Sequence, residues 1–184
     1  MEDDNLLQRF QSGDADAFAA LFARYHRLVF GYARMMLRDT AAAEDILQET
    51  FIAAAGSAAS YEPRGQFRAW LLAICRHRCL DWLERCRRRR RIAEETGFLI
   101  LEPPVADSPR HTVQRREQLN RALQALAELP ESQREAVTLY ALKELPYAEI
   151  ADVMACPINT VKTLIRRGRL RLAELLAETD RIER

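Results

Sequence analysis

With 184 residues, of which 48% are hydrophobic and 30% charged, the chain can bury the core of one domain or of two small ones. No run approaches the roughly 18 uninterrupted apolar residues of a membrane helix, and the acidic start Met1-Glu2-Asp3-Asp4-Asn5 lacks the features of a secretory signal, so a cytoplasmic protein without membrane insertion is expected. The net charge of +1 conceals a partition: Phe51–Ile92 carries +7 and Ile158–Arg184 carries +3, against −4 in Met1–Thr50, −2 in Ala93–Arg115 and −3 in Arg116–Pro157.

In chain order, the first strong signal spans Asp14 to Arg38. Phe18, Leu21, Phe22, Tyr25, Leu28, Val29, Tyr32 and Met36 recur at three- and four-residue steps there, which predicts an amphipathic helix. Asp39-Thr40 stops it and caps the next helix, whose first turns carry Glu44 and Asp45, where the macrodipole favours acids. Ile46, Leu47, Phe51 and Ala54 continue that helix, and Gly56-Ser57 weakens it. Ser60-Tyr61-Glu62-Pro63-Arg64-Gly65 reads as a loop.

A further helix runs from about Gln66 to the cluster Arg85-Cys86-Arg87-Arg88-Arg89-Arg90-Arg91, with Phe67, Trp70, Leu71, Ile74 and Cys75 apolar. Beyond it Gly97, Pro103-Pro104 and Asp107-Ser108-Pro109 predict a linker, placed at residues 93–115. Helical periodicity resumes near Thr112 with Leu119, Leu123 and Leu126 and breaks at Leu129-Pro130. Glu131–Leu142, Pro146–Met154 and a segment opened by Pro157 then read as three shorter helices. No strand alternation and no fixed-period repeat is present. The expected fold class is all-α: two small helical domains, residues 1–92 and 116–184, joined by an extended linker.

Two basic patches separated by acidic stretches are the electrostatic footprint of a protein that touches nucleic acid at two places. A solvated helix face with an Arg tail is the alternative reading of the same charges. Four cysteines without a signal peptide read as reduced thiols. Cys75 and Cys79 lie one helical turn apart, but His77 between them points about 200° away from Cys75 and cannot join them in one tetrahedral site. Buried core thiols are expected, with no metal and no cofactor.

The carboxy-terminal pattern is the sharper one. Ile150, Ala151 and Met154 face inward on one helix, Ala155-Cys156 makes a tight turn, and Pro157 begins a helix at the position where a missing N–H is harmless. Val161, Leu164 and Ile165 are then apolar, while Asn159, Thr160, Lys162, Thr163, Arg166 and Arg167 are groups that reach phosphates and base edges. This is a helix-turn-helix pattern, in which the second helix enters the major groove. An ordinary helical hairpin with a basic face is the competing reading.

Two longer stretches make the pattern specific. Ala43-Glu44-Asp45-Ile46-Leu47-Gln48-Glu49-Thr50-Phe51-Ile52, followed by Phe67-Arg68-Ala69-Trp70-Leu71-Leu72-Ala73-Ile74 and Asp81, closely resembles region 2 of the extracytoplasmic-function (ECF, group IV) sigma factors of bacterial RNA polymerase, in the sigma-70 family. Leu129-Pro130-Glu131-Ser132-Gln133-Arg134-Glu135-Ala136-Val137, Glu149-Ile150-Ala151, Thr160-Val161-Lys162-Thr163 and Arg166-Arg167-Gly168-Arg169-Leu170-Arg171-Leu172 resemble their region 4. The resemblance runs through nearly the whole chain in the right order.

It implies that Glu44, Asp45, Gln48 and Glu49 dock on the clamp helices of the polymerase's largest subunit. It implies that the loop 60–66 captures an unstacked minus-ten base, with Tyr61, Arg64, Phe67, Arg68, Arg76, His77 and Arg78 at the single strand. Flipped bases need planar walls and cations for the backbone, which these residues supply; core packing is the other reading for Phe67 and the favoured one for Trp70. Asn159, Thr160, Lys162, Thr163, Arg166 and Arg167 would meet the minus-thirty-five element, and the flap region of the polymerase is a further implied contact. The linker, with Glu94, Glu95, Glu102 and Asp107, corresponds to the piece that threads the RNA exit channel. An anti-sigma factor is an implied partner, and promoter DNA the implied ligand.

The chain departs from the family at Ala55-Gly56, where a Trp and a basic residue are usual, at His77, where Asn is usual, and at Ala155, which replaces a turn glycine. Not being an enzyme is part of the same expectation, since no nucleophile–base pair, metal cluster or glycine-rich phosphate loop stands out. A stand-alone helix-turn-helix regulator remains the rival, and a thiol or zinc sensor built on Cys75, Cys79 and Cys86 a third reading.

Overall fold

The computed structural model describes residues 2–62, 65–96, 121–142 and 145–182. The chain divides into two compact units, Met1–Ala106 and Asp107–Arg184, and every regular element among the described residues is a helix. The fold is all-α, as the periodicity predicts.

The first unit opens with α1 (Glu2–Gln11), a helix that the periodicity reading leaves unassigned. Asp14 then caps α2 (Ala15–Leu37), accepting from the N–H groups of Asp16 and Ala17 at 3.1 and 3.3 Å. The Arg9 guanidinium also holds the Asp14 carboxylate at 2.7 Å and keeps it below the usual Asp range. Arg38 ends α2 in the left-handed conformation, and Asp39 caps α3 (Thr40–Ser57) by accepting from the Ala42 N–H at 3.0 Å. A 3-10 turn (Ala58–Ser60) leads into the loop before α4 (Phe67–Thr96).

The core of this unit explains the sequence spacing. Leu21, Val29, Tyr32, Ala33 and Met36 of α2 are buried against Ala43, Ile46 and Ala54 of α3 and Leu71, Leu72, Cys75 and Cys79 of α4. Alanines at the crossings let the helices approach closely, while the leucines and Tyr32 fill the volume. Leu7 anchors α1 in the same core. Cys75 and Cys79 are thus core thiols, and His77 lies exposed on the same helix. Phe22, expected on the buried face, is instead 41% exposed and packs edge-on against Phe51 at 4.8 Å.

The expected linker start at residue 93 is corrected by α4, which stays helical to Thr96. Acids placed on the linker by sequence supply the reason: Glu94 and Glu95 lie one turn beyond Arg90 and Arg91 and pair with them at 3.3 and 4.0 Å, the i,i+4 spacing that supports a helix. Residues 97–115, with Glu102 and Asp107, lie outside the described residues, as does the expected helix start near Thr112.

The second unit contains helix α5, described over residues 121–127, then α6 (Glu131–Ala141), α7 (Tyr147–Met154) and α8 (Ile158–Ile182). Pro130 and Pro146 stand at the N-caps of α6 and α7 with φ of −51° and −58°, values the pyrrolidine ring already imposes. Ala125, Leu129 and Leu175 form one apolar cluster with Leu126, Leu172 and Leu176 around it. Ala136, Leu139, Leu145, Ile150, Val161 and Ile165 are buried as well.

Candidate nucleic-acid interface

The turn between α7 and α8 is built from backbone bonds. Ala155 adopts φ 50°, ψ 46°, and the Cys156 N–H donates back to the Ala151 carbonyl at 3.1 Å. This closure is the one a glycine usually makes, and Ala155 accepts the steric penalty of the left-handed region instead of avoiding it. The Pro157 carbonyl then accepts from Thr160 and Val161 at 2.9 and 3.2 Å, which makes Pro157 the N-cap of α8, so the helix starts one residue later than expected.

From that cap, α8 sorts its side chains by period. Val161, Ile165 and Gly168 are buried at steps of four and three, whereas Asn159, Thr160, Lys162, Thr163, Arg166 and Arg167 are all exposed. The six residues expected to meet duplex DNA therefore share the solvent side of one helix. Thr163 donates its hydroxyl to the Asn159 carbonyl at 2.9 Å, so toward a ligand it offers lone pairs. On the α6 side, Arg169 lies 5.9 Å from the Tyr140 ring, which stacks on Tyr147 at 5.6 Å; this stacked set was not read from sequence.

In the first unit, Glu44, Asp45, Gln48 and Glu49 are exposed along α3, while Ala42, Ala43, Ile46 and Thr50 turn inward. The Thr50 hydroxyl donates to the Ile46 carbonyl at 2.6 Å, which satisfies it within its own helix. One turn beyond Gln48, Ile52 is 71% exposed, and with Glu49 and Ala53 it lines an open groove of about 600 Å³ whose other wall is Arg78, Asp81, Glu84, Arg85 and Arg88 of α4. Sequence spacing alone gives no sign of this groove.

The residues expected at the single strand are only partly brought together. Tyr61, Phe67 and Trp70 form a cluster with ring centroids 4.9–6.1 Å apart. Phe67 is 1% exposed and Tyr61 9%, both core members here, and Trp70 is half-buried. The Tyr61 hydroxyl donates to Asp4 Oδ1 at 2.8 Å, and both Tyr61 and Phe67 lie beneath the surface instead of standing as exposed stacking plates. Arg68 and Arg76 are half-buried, as is Arg78, and His77 is exposed. Arg76 and Arg78, two residues apart, point about 200° apart on α4, and Arg78 belongs to the groove beside Glu49. Arg64 lies outside the described residues. Nearby, Tyr25 donates to Asp3 at 2.5 Å; burial, then that bond, pushes its phenol above the usual range.

At the end of α4, the arginine run is partly compensated. Arg88 pairs with Glu84 at 3.4 Å, in addition to the two pairs already given. All three are exposed pairs of the kind worth about 0–1 kcal/mol, and they leave the run basic. Gly56 has open space around it.

Comparison with known proteins gives the family. The family model for sigma-70 region 2 matches residues 21–91, and that for sigma-70 region 4 matches residues 119–172. The ECF RNA polymerase sigma factor SigK of Mycobacterium sp. (strain KMS) is 30% identical over 166 residues, spanning 90% of this chain and 86% of its own. Among solved structures, CnrH in complex with the cytosolic domain of CnrY is similar with a TM-score of 0.74 at 25% identity, over 97% of this chain and 99% of that one. The sigma factor RpoE of Bartonella quintana, in complex with the anti-sigma factor NepR, has a TM-score of 0.71 at 25% identity, over 87% and 96%. With both regions matched in order, and a relative of this identity along most of its length, the chain belongs to the ECF sigma factors of the sigma-70 family.

Proposed function

We propose that the chain is an alternative sigma factor that joins core RNA polymerase and directs initiation at its own class of promoters. In this reading residues 1–96 dock on the polymerase and recognise and open the minus-ten element, residues 97–115 form the linker, and residues 116–184 read the minus-thirty-five element. The observation that carries it is the exposed row Asn159, Thr160, Lys162, Thr163, Arg166 and Arg167 on α8, in the same chain as the exposed acidic row Glu44, Asp45, Gln48 and Glu49 on α3. The first suits the edges and phosphates of a major groove. The second suits a basic protein surface, for which we assign the clamp helices of the largest subunit, with the flap region as the contact of the second unit.

Nucleotide addition stays with the polymerase, and this chain supplies binding energy and strand separation without a cofactor. Its place of action is the cytoplasm, where core polymerase works, and no described helix is long and apolar enough to cross a membrane. Control by an anti-sigma factor is part of the proposal, supported by the similarity to RpoE, whose structure contains one.

Run-off transcription with core polymerase on a randomised promoter library is the decisive experiment. Enrichment of templates with two spaced elements, only when the chain is present, is expected. Tight binding of a palindromic operator by the free protein, with no polymerase-dependent product, would overturn the reading in favour of a stand-alone helix-turn-helix regulator.

A further inference from the structure

Asp4 lies in the first turn of α1 and is only 8% exposed. A carboxylate is tolerated at such a depth when donors satisfy it. Tyr61 donates its hydroxyl to Oδ1 at 2.8 Å, and Gly65 donates its backbone N–H to Oδ2 at 2.7 Å. Both donors belong to the segment between the 3-10 turn and α4, some sixty residues along the chain. Gly65 has φ +69°, a conformation that a side chain would resist.

The other end of α1 reaches the same segment. Gln11 donates from Nε2 to the Ala58 carbonyl at 2.6 Å, on the turn that leads into the loop. α1 thus holds this segment at Ala58, Tyr61 and Gly65, and it is itself fixed to α2 by Arg24 with Glu2 and Asp3 and by the bond from Tyr25 to Asp3. The Tyr61 ring is held between Phe67 and Trp70 with its hydroxyl directed at Asp4.

We propose that Asp4 is a positioning residue for minus-ten recognition: its carboxylate sets the Tyr61 ring and the Gly65 backbone before DNA arrives, so that base preference in the loop depends on a side chain in α1 that touches no DNA. This rests on the reading of residues 60–66 as the capture loop. A stiffly held backbone and ring cannot reshape around the wrong base, so a misfit lowers affinity by more than it would in a pliable loop. Two charge-assisted bonds from one buried group give the setting its stiffness.

The test uses the full chain bound to core polymerase and two single-stranded oligonucleotides, one with the selected minus-ten element and one with the captured base changed. The ratio of their affinities is the readout. Asp4→Ala is expected to lower that ratio about tenfold, as when a preorganised geometry is loosened, and Asp4→Asn to lower it less. Affinity for core polymerase and for minus-thirty-five duplex should be unchanged. Tyr61→Phe should lower the ratio too, and adding it to Asp4→Asn should cost less than the two effects multiplied, since both act through one bond.

Loss of thermal stability with an unchanged ratio would overturn the proposal and leave Asp4 a structural residue. Should Asp4→Ala fail to fold, Asp4→Asn and Tyr61→Phe carry the measurement. Gln66→Ala, in the exposed part of the loop, separates the two levels. If it alters the ratio while Asp4→Asn and Tyr61→Phe do not, the positioning role falls and the capture loop stands. If all three are silent, the capture loop falls and the proposal with it.

Discussion

Gly168 of α8 faces Val137 of α6 so closely that a methyl group on it would stand 2.6 Å from Val137 Cγ2 and 3.2 Å from the Gln133 carbonyl oxygen. A glycine in mid-helix ordinarily weakens the helix by about 1 kcal/mol relative to alanine. Here its missing side chain lets the backbones of α6 and α8 approach.

Gly168→Ala is therefore expected to destabilise the second unit by about 1–2 kcal/mol despite the gain in helix propensity, since overpacking typically costs 1–3 kcal/mol. Thermal or urea unfolding of the variant measures it. An unchanged or raised midpoint would mean that α6 shifts at no cost.

Ala155→Gly should act in the opposite direction. The residue already sits at φ 50°, where a Cβ is strained, so glycine should raise the stability of the helix-turn-helix by roughly 0.5–1 kcal/mol. The gain is read from the denaturation midpoint, and duplex binding should be unaltered.

Charge reversal at Asp45 and Glu49 should abolish association with core polymerase. Both side chains are exposed on α3, and surface substitutions of this kind usually change stability by less than about 0.5 kcal/mol. Titration of the variant against core polymerase, beside its melting curve, separates lost docking from lost folding. Wild-type affinity would refute the docking assignment.

Lys162→Ala should weaken recognition of the minus-thirty-five duplex and reduce the slope of log K against log salt by about 1 if the contact is to phosphate. A template already melted at minus-ten should not restore it, because the defect lies in duplex binding. Restoration by such a template would place Lys162 with strand opening instead.

Much of this architecture is legible in the sequence because local signals and packing agree. The three- and four-residue rhythm of Leu21, Tyr25, Leu28, Val29 and Tyr32 is the buried stripe of α2, and Asp39 caps α3 where its side chain can reach a free N–H. The polar row of α8 is readable for the same reason, since Val161 and Ile165 mark the opposite face. What escapes are relations between distant segments. α1 has ten residues, three acids in its first turn and few apolar positions, and its role becomes visible only when Asp4 meets Tyr61 and Gly65. The burial of Tyr61 and Phe67 likewise comes from packing between distant segments, with Phe67 set against Tyr25 of α2 at 5.5 Å. Ile52 is apolar, yet it lies seven residues beyond Asp45 and four beyond Gln48, on the exposed face of α3, and the groove it lines with α4 has no sequence signal.

The ladder of Arg88 with Glu84, Arg90 with Glu94 and Arg91 with Glu95 changes what the arginine run is worth to a polyanion. An arginine that must leave a glutamate to reach a phosphate leaves that glutamate facing the same field, so the exchange releases little ion atmosphere. Across Glu84–Glu95 six arginines stand against three glutamates, and the segment should behave as about three charges, with a contribution near −3 instead of about −5 to the salt slope of nucleic-acid binding. Removing the three glutamates would unmask the rest, turning a moderate contact into adhesion to any nucleic acid present.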